Sequence, residues 1–145
     1  YVGDEKIVGC ETFWAVFNTQ TRRPENLSLP HEHFEKYPND KATEIQFSKI
    51  DTSIDKTFVA EKTILLSDLD IVNHANSVKY LEWCLDNVEP NLLLNQKLES
   101  FEMNYLKEVS LEDTITIEKS HLEKPMVFTV NSNNKTCFAL QLNFK

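Results

Sequence analysis

Apolar residues change their spacing twice along the chain, and these changes divide the sequence into three parts. The first part contains residues 7–18 (IVGCETFWAVFN), where apolar and aromatic residues occupy both alternating faces. This pattern predicts a strand that is buried on both sides. A hairpin formed with Tyr1-Val2 would be marginally stable in water without a partner sheet. We therefore expect residues 1–29 to be the closing hairpin of a larger domain.

The second part, residues 30–56, is a polar stretch that is rich in charge. Proline occurs at Pro30 and Pro38. Because proline suits the first turn of a helix, the segment 30–37 (PHEHFEKY) predicts a short helix. The remainder of this part has the composition of a linker.

The third part, residues 57–145, has a regular pattern. Residues 57–66 predict a strand, and residues 76–88 predict a helix in which Val78, Leu81 and Leu85 recur at helical spacing. Other apolar residues widen the apolar face, so this helix should be mostly buried. Polar turn residues precede the last of four further predicted strands, which lie near 98–107, 113–121, 125–131 and 135–144.

There are few ways in which one strand, one nearly buried helix and an antiparallel meander can pack around a common core. The sheet can curl around the helix and bury its wide apolar face. This is the α+β hot-dog fold, an antiparallel sheet wrapped around a central helix. A single hot-dog leaves a sheet edge exposed, so we expect it to pair with another, within the full chain or in a homodimer.

Composition excludes several classes of function. The 145 residues are 41% hydrophobic and 26% charged, with a formal net charge of −8 that disfavours nucleic-acid binding. The two glycines cannot form a phosphate-binding glycine loop. The three cysteines, Cys10, Cys84 and Cys137, form no CxxC pair, which favours a reducing cytoplasm over a disulfide framework or a zinc site. No apolar run is long enough to span a membrane.

The densest polar cluster is residues 68–76 (DLDIVNHAN), between the predicted strand and helix. Asn73 or Asn76 could cap the helix, and acids suit its positive end. Capping needs only one such residue, however, and this cluster holds two acids, two asparagines and a histidine. We therefore favour a functional role for the cluster.

Three motifs resemble the acyl-acyl-carrier-protein (acyl-ACP) thioesterases, a family with two tandem hot-dog domains. The second domain of that family carries D-x-D-x-N-x-H-x-N-N followed by Y-x-x-W, then a basic residue followed by Glu. Its first domain ends in W-x-x-x-(N/D)-x-x-T-R-R-P. The matching residues here, in chain order, are Trp14, Asn18, Thr21, Arg22, Arg23, Pro24, Asp68, Asp70, His74, Asn76, Tyr80, Trp83, Lys107 and Glu108.

The resemblance implies an enzyme that hydrolyses fatty acyl-ACP thioesters and releases free fatty acid and carrier protein, without a cofactor or metal. It makes residues 1–29 the end of a first hot-dog whose earlier strands lie upstream of Tyr1. Residues 30–56 are then the linker, and residues 57–145 are the second hot-dog domain. An acidic carrier protein would need a local basic patch on this acidic chain. Arg22-Arg23 could belong to such a patch, or could be solvated in the linker or paired with the many acids of the chain, and the sequence alone does not identify the residues of the patch.

By this resemblance the catalytic residues are Asp70, His74 and Glu108. The Asn of the family motif falls on Val72, and we expect the adjacent Asn73 to replace it if the segment bulges. Two further positions depart from the family, because Ser77 stands for the second Asn of the N-N pair and Val109 replaces the Cys that often follows the Glu.

These residue types suit thioester hydrolysis. Glu108 or Asp70 could deprotonate water, His74 could orient that water or protonate the leaving thiolate, and helix amides could stabilise the oxyanion. Attack by water and attack by a carboxylate both remain open.

Two other functions remain open: an acyl-CoA thioesterase of another hot-dog family, and a non-catalytic acyl-binding module. The TRRP segment and long linker argue against the first, while Val72 is the reason for keeping the second. The pair His31-x-His33 lacks a carboxylate or cysteine at ligand spacing, so we do not expect it to bind a metal.

Overall fold

The computed structural model describes residues 1–18, 20–21, 23–26, 32–45 and 48–145. The chain divides into two compact units, Tyr1–Ser48 and Lys49–Lys145.

The described residues of the first unit include a short antiparallel strand pair, β1 (Val16–Asn18) and β2 (Arg23–Glu25). The Asn18 side chain reverses the chain between them, because its Oδ1 accepts hydrogen bonds of 2.8 Å from the N–H groups of Gln20 and Thr21. Only the last three residues of the strand predicted over 7–18 are therefore strand. Trp14 is 85% exposed, and residues 7–15 pair with no strand among the residues that the structure describes.

The short helix predicted over 30–37 is absent from its described part, residues 32–37, which form turns and extended chain. Residues 30 and 31 lie outside the described residues. Phe34 and Tyr37 are exposed, so a helix here would have no buried apolar face. A helix this short is unstable without such packing.

The second unit is a five-stranded antiparallel sheet around one helix. Its strand order is β3-β5-β6-β7-β4, and its loop between β6 and β7 turns at Asn133 and Asn134, which have φ of 52° and 57° and are suited to such positive values. The predicted strands are confirmed, with bounds β3 Lys56–Thr63, β4 Leu98–Tyr105, β5 Thr114–Ser120, β6 Met126–Ser132 and β7 Lys135–Phe144.

The central helix α1 (Ser77–Leu85) packs on the middle strands β6 and β7. Tyr80, Trp83 and Cys84 enter the core, where they meet Phe128 and Phe138 among other buried side chains. This α+β arrangement confirms the hot-dog fold. The expectation of a mostly buried helix holds for one face only, because Val78 is 56% exposed.

A second helix, α2 (Pro90–Asn95), was not predicted and carries proline in its first turn. On the other face of the sheet, Ile50 and Ile54 pack against Val127 and Ala139, so the chain after Lys49 covers that face. None of the helices in the described part of the chain is long and apolar enough to cross a membrane.

Candidate active site

The polar cluster at 68–76 folds into a small hairpin between β3 and α1. A 3-10 helix, Leu66–Asp68, leads into it. The two arms are joined by hydrogen bonds from the Asp70 N–H to the His74 carbonyl (2.8 Å) and from the Asn76 N–H to the Asp68 carbonyl (2.8 Å). The Asn73 N–H donates to the Asp70 carbonyl (3.1 Å) and closes the tip. The hairpin thus fixes the backbone on which His74 is carried.

Asn73 holds the left-handed backbone position at this tip, with φ of 64°. Asparagine tolerates this conformation better than most residues with a side chain. Its side chain is exposed and makes no hydrogen bond to any described residue. Asn73 therefore lies at the tip of a turn and not in an extended segment, and its side-chain amide makes no hydrogen bond to His74 or Glu108.

The Asp70 carboxylate is an acceptor inside the hairpin. Its Oδ1 accepts hydrogen bonds from the N–H groups of Val72 (2.9 Å) and His74 (3.2 Å). Each bond restrains the turn on one side of Asn73. Asp70 is half-buried, so it both shapes the hairpin and lies at its accessible surface.

Asp68 anchors the start of the hairpin in the interior. Its side chain is only 6% exposed, and its Oδ2 lies 3.3 Å from the Lys62 Nζ. The same oxygen accepts a hydrogen bond of 2.9 Å from the Leu65 N–H. The Lys62 Nζ also lies 5.8 Å from the centre of the Trp83 ring on α1, within range of a cation–π contact. These contacts connect β3, the hairpin and the helix.

Lys62 was missed by the sequence analysis, although its partner Asp68 was noted within a motif. No short spacing rule relates a residue on β3 to one in the following 3-10 helix. The only signal is a cation that precedes an acidic cluster in the sequence, which is too common to carry weight.

Glu108 follows the end of β4 and meets the hairpin from the neighbouring segment. The Ala75 N–H donates to the Val109 carbonyl (3.0 Å), and His74 pairs with Ser110 as an isolated antiparallel bridge. This pairing brings the His74 Nδ1 to 3.6 Å from the Glu108 Oε1. The two side chains are 31% and 53% exposed, so a substrate can reach both.

Asn76 is the N-cap of α1, and it is one of the two residues, Asn73 and Asn76, that the capping interpretation offered. Its Oδ1 accepts a hydrogen bond of 3.0 Å from the Val78 N–H. The Ser77 N–H has no acceptor among the described residues. One amide at the positive end of the helix is therefore free to donate to an external oxygen.

The two cysteines of this unit are packing residues. Burial raises the pKa of the Cys84 thiol to about 12, and burial also raises the pKa of Cys137. A thiol with a raised pKa forms little of the nucleophilic thiolate. The candidate chemistry therefore rests on carboxylates and histidine.

The remaining sequence candidates belong to the first two parts of the chain. His33 is exposed, and His31 and Arg22 lie outside the described residues. Within the described ranges, no group of three or more His, Cys, Asp or Glu side chains is placed to hold a metal ion.

The His74 and Glu108 side chains meet close in sequence to the first residue of α1, Ser77. A histidine and a carboxylate in contact can move a proton between an attacking water and a leaving group. A free amide at the helix start can stabilise the oxyanion that forms when a carbonyl is attacked. This set of groups suits hydrolysis of an activated acyl compound.

The chain is similar in sequence to curated thioesterases of plants. A palmitoyl-acyl carrier protein thioesterase from Cuphea hookeriana is 27% identical over 117 residues, and the match covers 77% of this chain and 28% of that protein. Another, from Arabidopsis thaliana, is 29% identical over 119 residues, with the same coverage of 77% and 28%. Both are described as chloroplastic. The chain thus spans 28% of the length of these curated relatives.

Solved structures agree on the fold. An acyl-ACP thioesterase from Bacteroides thetaiotaomicron has a TM-score of 0.65 and 25% identity, covering 89% of this chain and 53% of that one. The 12:0-ACP thioesterase from Umbellularia californica has a TM-score of 0.70 and 18% identity, with coverage of 89% and 52%.

The family model of the acyl-ACP thioesterase C-terminal domain matches residues 41–143, which include the whole hairpin and Glu108. The resemblance inferred from the sequence motifs is thereby confirmed. The chain belongs to the family of acyl-ACP thioesterase C-terminal domains.

Proposed function

We propose that this protein hydrolyses fatty acyl-ACP thioesters and releases free fatty acid and carrier protein, as part of fatty acid synthesis. The observation that carries the proposal is the contact between the His74 Nδ1 and the Glu108 Oε1, 3.6 Å apart. These residues are 34 positions apart in the sequence and stand at two separate motifs of the family. Both are exposed enough to meet a substrate.

In the proposed reaction, water attacks the thioester carbonyl while Glu108 accepts its proton. The Ser77 N–H at the helix start donates to the oxyanion. The carbon–sulfur bond then breaks, and the proton passes from Glu108 through His74 to the departing thiolate. Asp70 holds the His74 backbone through its hydrogen bond to the His74 N–H. No cofactor or metal is needed for these steps.

The test is the release of free thiol from a fatty acyl-ACP by the natural full-length protein. We expect steady release of thiol and fatty acid in equal amounts, and a loss of about 10²-fold when His74 is changed to Ala. Replacement of the exposed His33 by Ala is the matched control, which should leave turnover unchanged. Equal turnover by His74→Ala and the wild type would contradict the proposal.

Asn73 completes the set of catalytic residues predicted from the sequence, and the structure suggests how to test it. Asn73→Gly keeps the left-handed backbone but removes the amide, whereas Asn73→Ala removes the amide and strains the backbone. If the amide takes part in the reaction, both variants should lower turnover by at least about 10-fold. If Asn73 only forms the turn, Asn73→Gly should retain normal turnover, and that result would overturn the catalytic assignment.

Val72 is the observation that favours a second candidate, a non-catalytic acyl-binding module. It lies on the hairpin with its side chain 61% exposed. If turnover by the wild type is weak, Val72→Asn should raise it, since the amide of the family motif would be restored. A wild-type protein that binds fatty acyl-ACP without releasing thiol, with or without Val72→Asn, would favour the binding module.

The partner we propose is an acyl carrier protein bearing a fatty acyl chain. The exposed Lys107 beside Glu108 offers a cation to the acidic carrier near the reacting thioester.

We further propose that residues 1–29 close a first hot-dog domain and that residues 30–56 link it to the hot-dog domain at 57–145. The domain at 57–145 then pairs with the first domain of the same chain, or with a second copy of the chain in a homodimer. The free state of Cys10, Cys84 and Cys137 supports a reducing compartment such as the cytoplasm.

A further inference from the structure

Tyr80 is a buried side chain whose polar atom faces the segment that carries Glu108. It lies near the start of α1 and is 3% exposed. Its ring packs against those of Trp83 and Phe138, with centroid distances of 5.2 and 5.3 Å, and meets Tyr105 edge-on at 5.9 Å. Aromatic contacts on several sides hold the ring in one orientation, so the position of its hydroxyl is fixed.

The Tyr80 hydroxyl accepts a hydrogen bond of 3.2 Å from the Val109 N–H. Val109 is 1% exposed and directly follows Glu108 in the chain. Its N–H is thus buried where water cannot replace a lost partner, and a buried backbone donor without an acceptor is costly. The bond therefore restrains the backbone next to the Glu108 carboxylate.

Backbone bonds hold the same segment on either side of this point. The N–H groups of Leu106 and Lys107 donate to the Cys137 carbonyl at 2.8 and 3.0 Å, and the Val109 carbonyl accepts from the Ala75 N–H at 3.0 Å. The contact from Tyr80 differs because it comes from a helix side chain. It ties the segment to α1, the helix that begins directly after the hairpin that carries His74.

We propose that Tyr80 is a positioning residue that sets the separation between His74 and Glu108. It acts on the reaction only through Glu108, since Tyr80 is buried, with 3% of its surface exposed. This inference rests on the proposed thioesterase function. A shift of about 1 Å in a catalytic group can lower the rate by about 10²-fold, so the loss of one such restraint should be visible in turnover.

The primary test is Tyr80→Phe in the natural full-length protein, with fatty acyl-ACP as substrate. The ring packing is kept, but Val109 loses its acceptor and the segment must shift. We expect kcat to fall by about 10-fold while KM stays within about twofold, because the substrate contacts remain. A kcat equal to that of the wild type would overturn the proposal.

Ser120→Ala is the matched control. The Ser120 hydroxyl also accepts a hydrogen bond from a buried backbone amide, the Val127 N–H at 2.9 Å. It lies at the opposite end of β5, roughly 20 Å along the strand from the Glu108 side. Both variants should lower the melting temperature by about 5 °C, and only Tyr80→Phe should lower kcat. An equal loss of kcat in both would show a general effect on stability and overturn the proposal.

A double-variant comparison separates positioning of Glu108 from general disturbance of the site. In a Glu108→Gln background, Tyr80→Phe should change the residual turnover by less than about twofold, because the group it positions is already disabled. If Tyr80→Phe lowers turnover by the same factor in both backgrounds, it does not act through Glu108.

Hydrogen exchange of the Val109 amide keeps the proposal testable if Tyr80→Phe folds poorly. Because of this hydrogen bond, we expect the Val109 amide of the wild type to exchange at least about 100-fold more slowly than an unstructured amide. Rapid exchange at Val109 in the wild type would contradict the restraint. If the wild type releases no thiol from fatty acyl-ACP, the proposed function itself is wrong. If the wild type turns over normally and the Tyr80→Phe variant has the same kcat, only the role of Tyr80 is wrong.

Discussion

Glu108→Gln is expected to lower the turnover of a fatty acyl-ACP by about 10²-fold or more while the fold stays intact. The amide has the size of the carboxylate but cannot accept the proton of water. Because Glu108 is 53% exposed, its loss should cost little stability. Asp70→Asn should have an effect of the same order, since a neutral amide is a weaker acceptor for the Val72 and His74 N–H groups.

A matched control is Glu82→Gln. Glu82 is also an exposed glutamate that contacts a basic side chain, the Lys79 ammonium at 2.8 Å, but it lies on α1 away from the hairpin. Its replacement should leave turnover within about twofold of the wild type, since an exposed ion pair contributes little. Near-normal turnover by Glu108→Gln or Asp70→Asn, measured as initial rates of thiol release with folding checked by circular dichroism, would remove that residue from the catalytic set.

Lys62→Met is expected to lower the free energy of unfolding by about 3 kcal/mol. The change leaves the Asp68 carboxylate, whose side chain is 6% exposed, without its cation in the interior. Methionine keeps much of the apolar stem of lysine near Trp83, so packing is largely retained. Urea unfolding of both proteins under identical conditions gives the difference.

The control for this second prediction is the double variant Lys62→Met with Asp68→Asn. The asparagine oxygen still accepts from the Leu65 N–H, but no unpaired charge is left in the interior. We expect the double variant to regain more than half of the lost stability, because neutralising both partners is less costly than removing one. If Lys62→Met alone lowers the free energy of unfolding by less than about 1 kcal/mol, the prediction is wrong, and solvent stabilises the Asp68 carboxylate in place of Lys62.

The architecture of residues 57–145 was predictable because its elements bury one continuous core. Alternation along 135–144 and helical spacing along 76–88 each identify a face that packs against the other elements. The strand predicted over 7–18 failed for the complementary reason. Its apolar residues predict burial, but the described part of its own unit offers only the three residues Arg23–Glu25 as a partner strand.

The site was predictable only in part. His74 and Glu108 were matched through the family resemblance, since no spacing rule joins residues so far apart in the sequence. Their contact depends on the bridge between His74 and Ser110, which is a tertiary feature. The hydrogen bond of the Tyr80 hydroxyl could not be predicted, because tyrosine counts only as one more apolar residue in the helical pattern. The left-handed backbone conformation of Asn73 could not be predicted either, because the hairpin forms only when Asp68 and Asn76 meet.

A competition experiment tests the central claim most directly. The natural full-length protein is given an equimolar mixture of palmitoyl-ACP and palmitoyl-CoA, and the consumption of both thioesters is followed over time. We predict that palmitoyl-ACP is consumed first, with one free fatty acid for each carrier thiol, and that the His74→Ala variant consumes it about 10²-fold more slowly. Consumption of palmitoyl-CoA with palmitoyl-ACP left intact would contradict the claim that the substrate is an acyl-ACP. Equal rates of palmitoyl-ACP consumption by the wild type and the His74→Ala variant would contradict the catalytic role of His74.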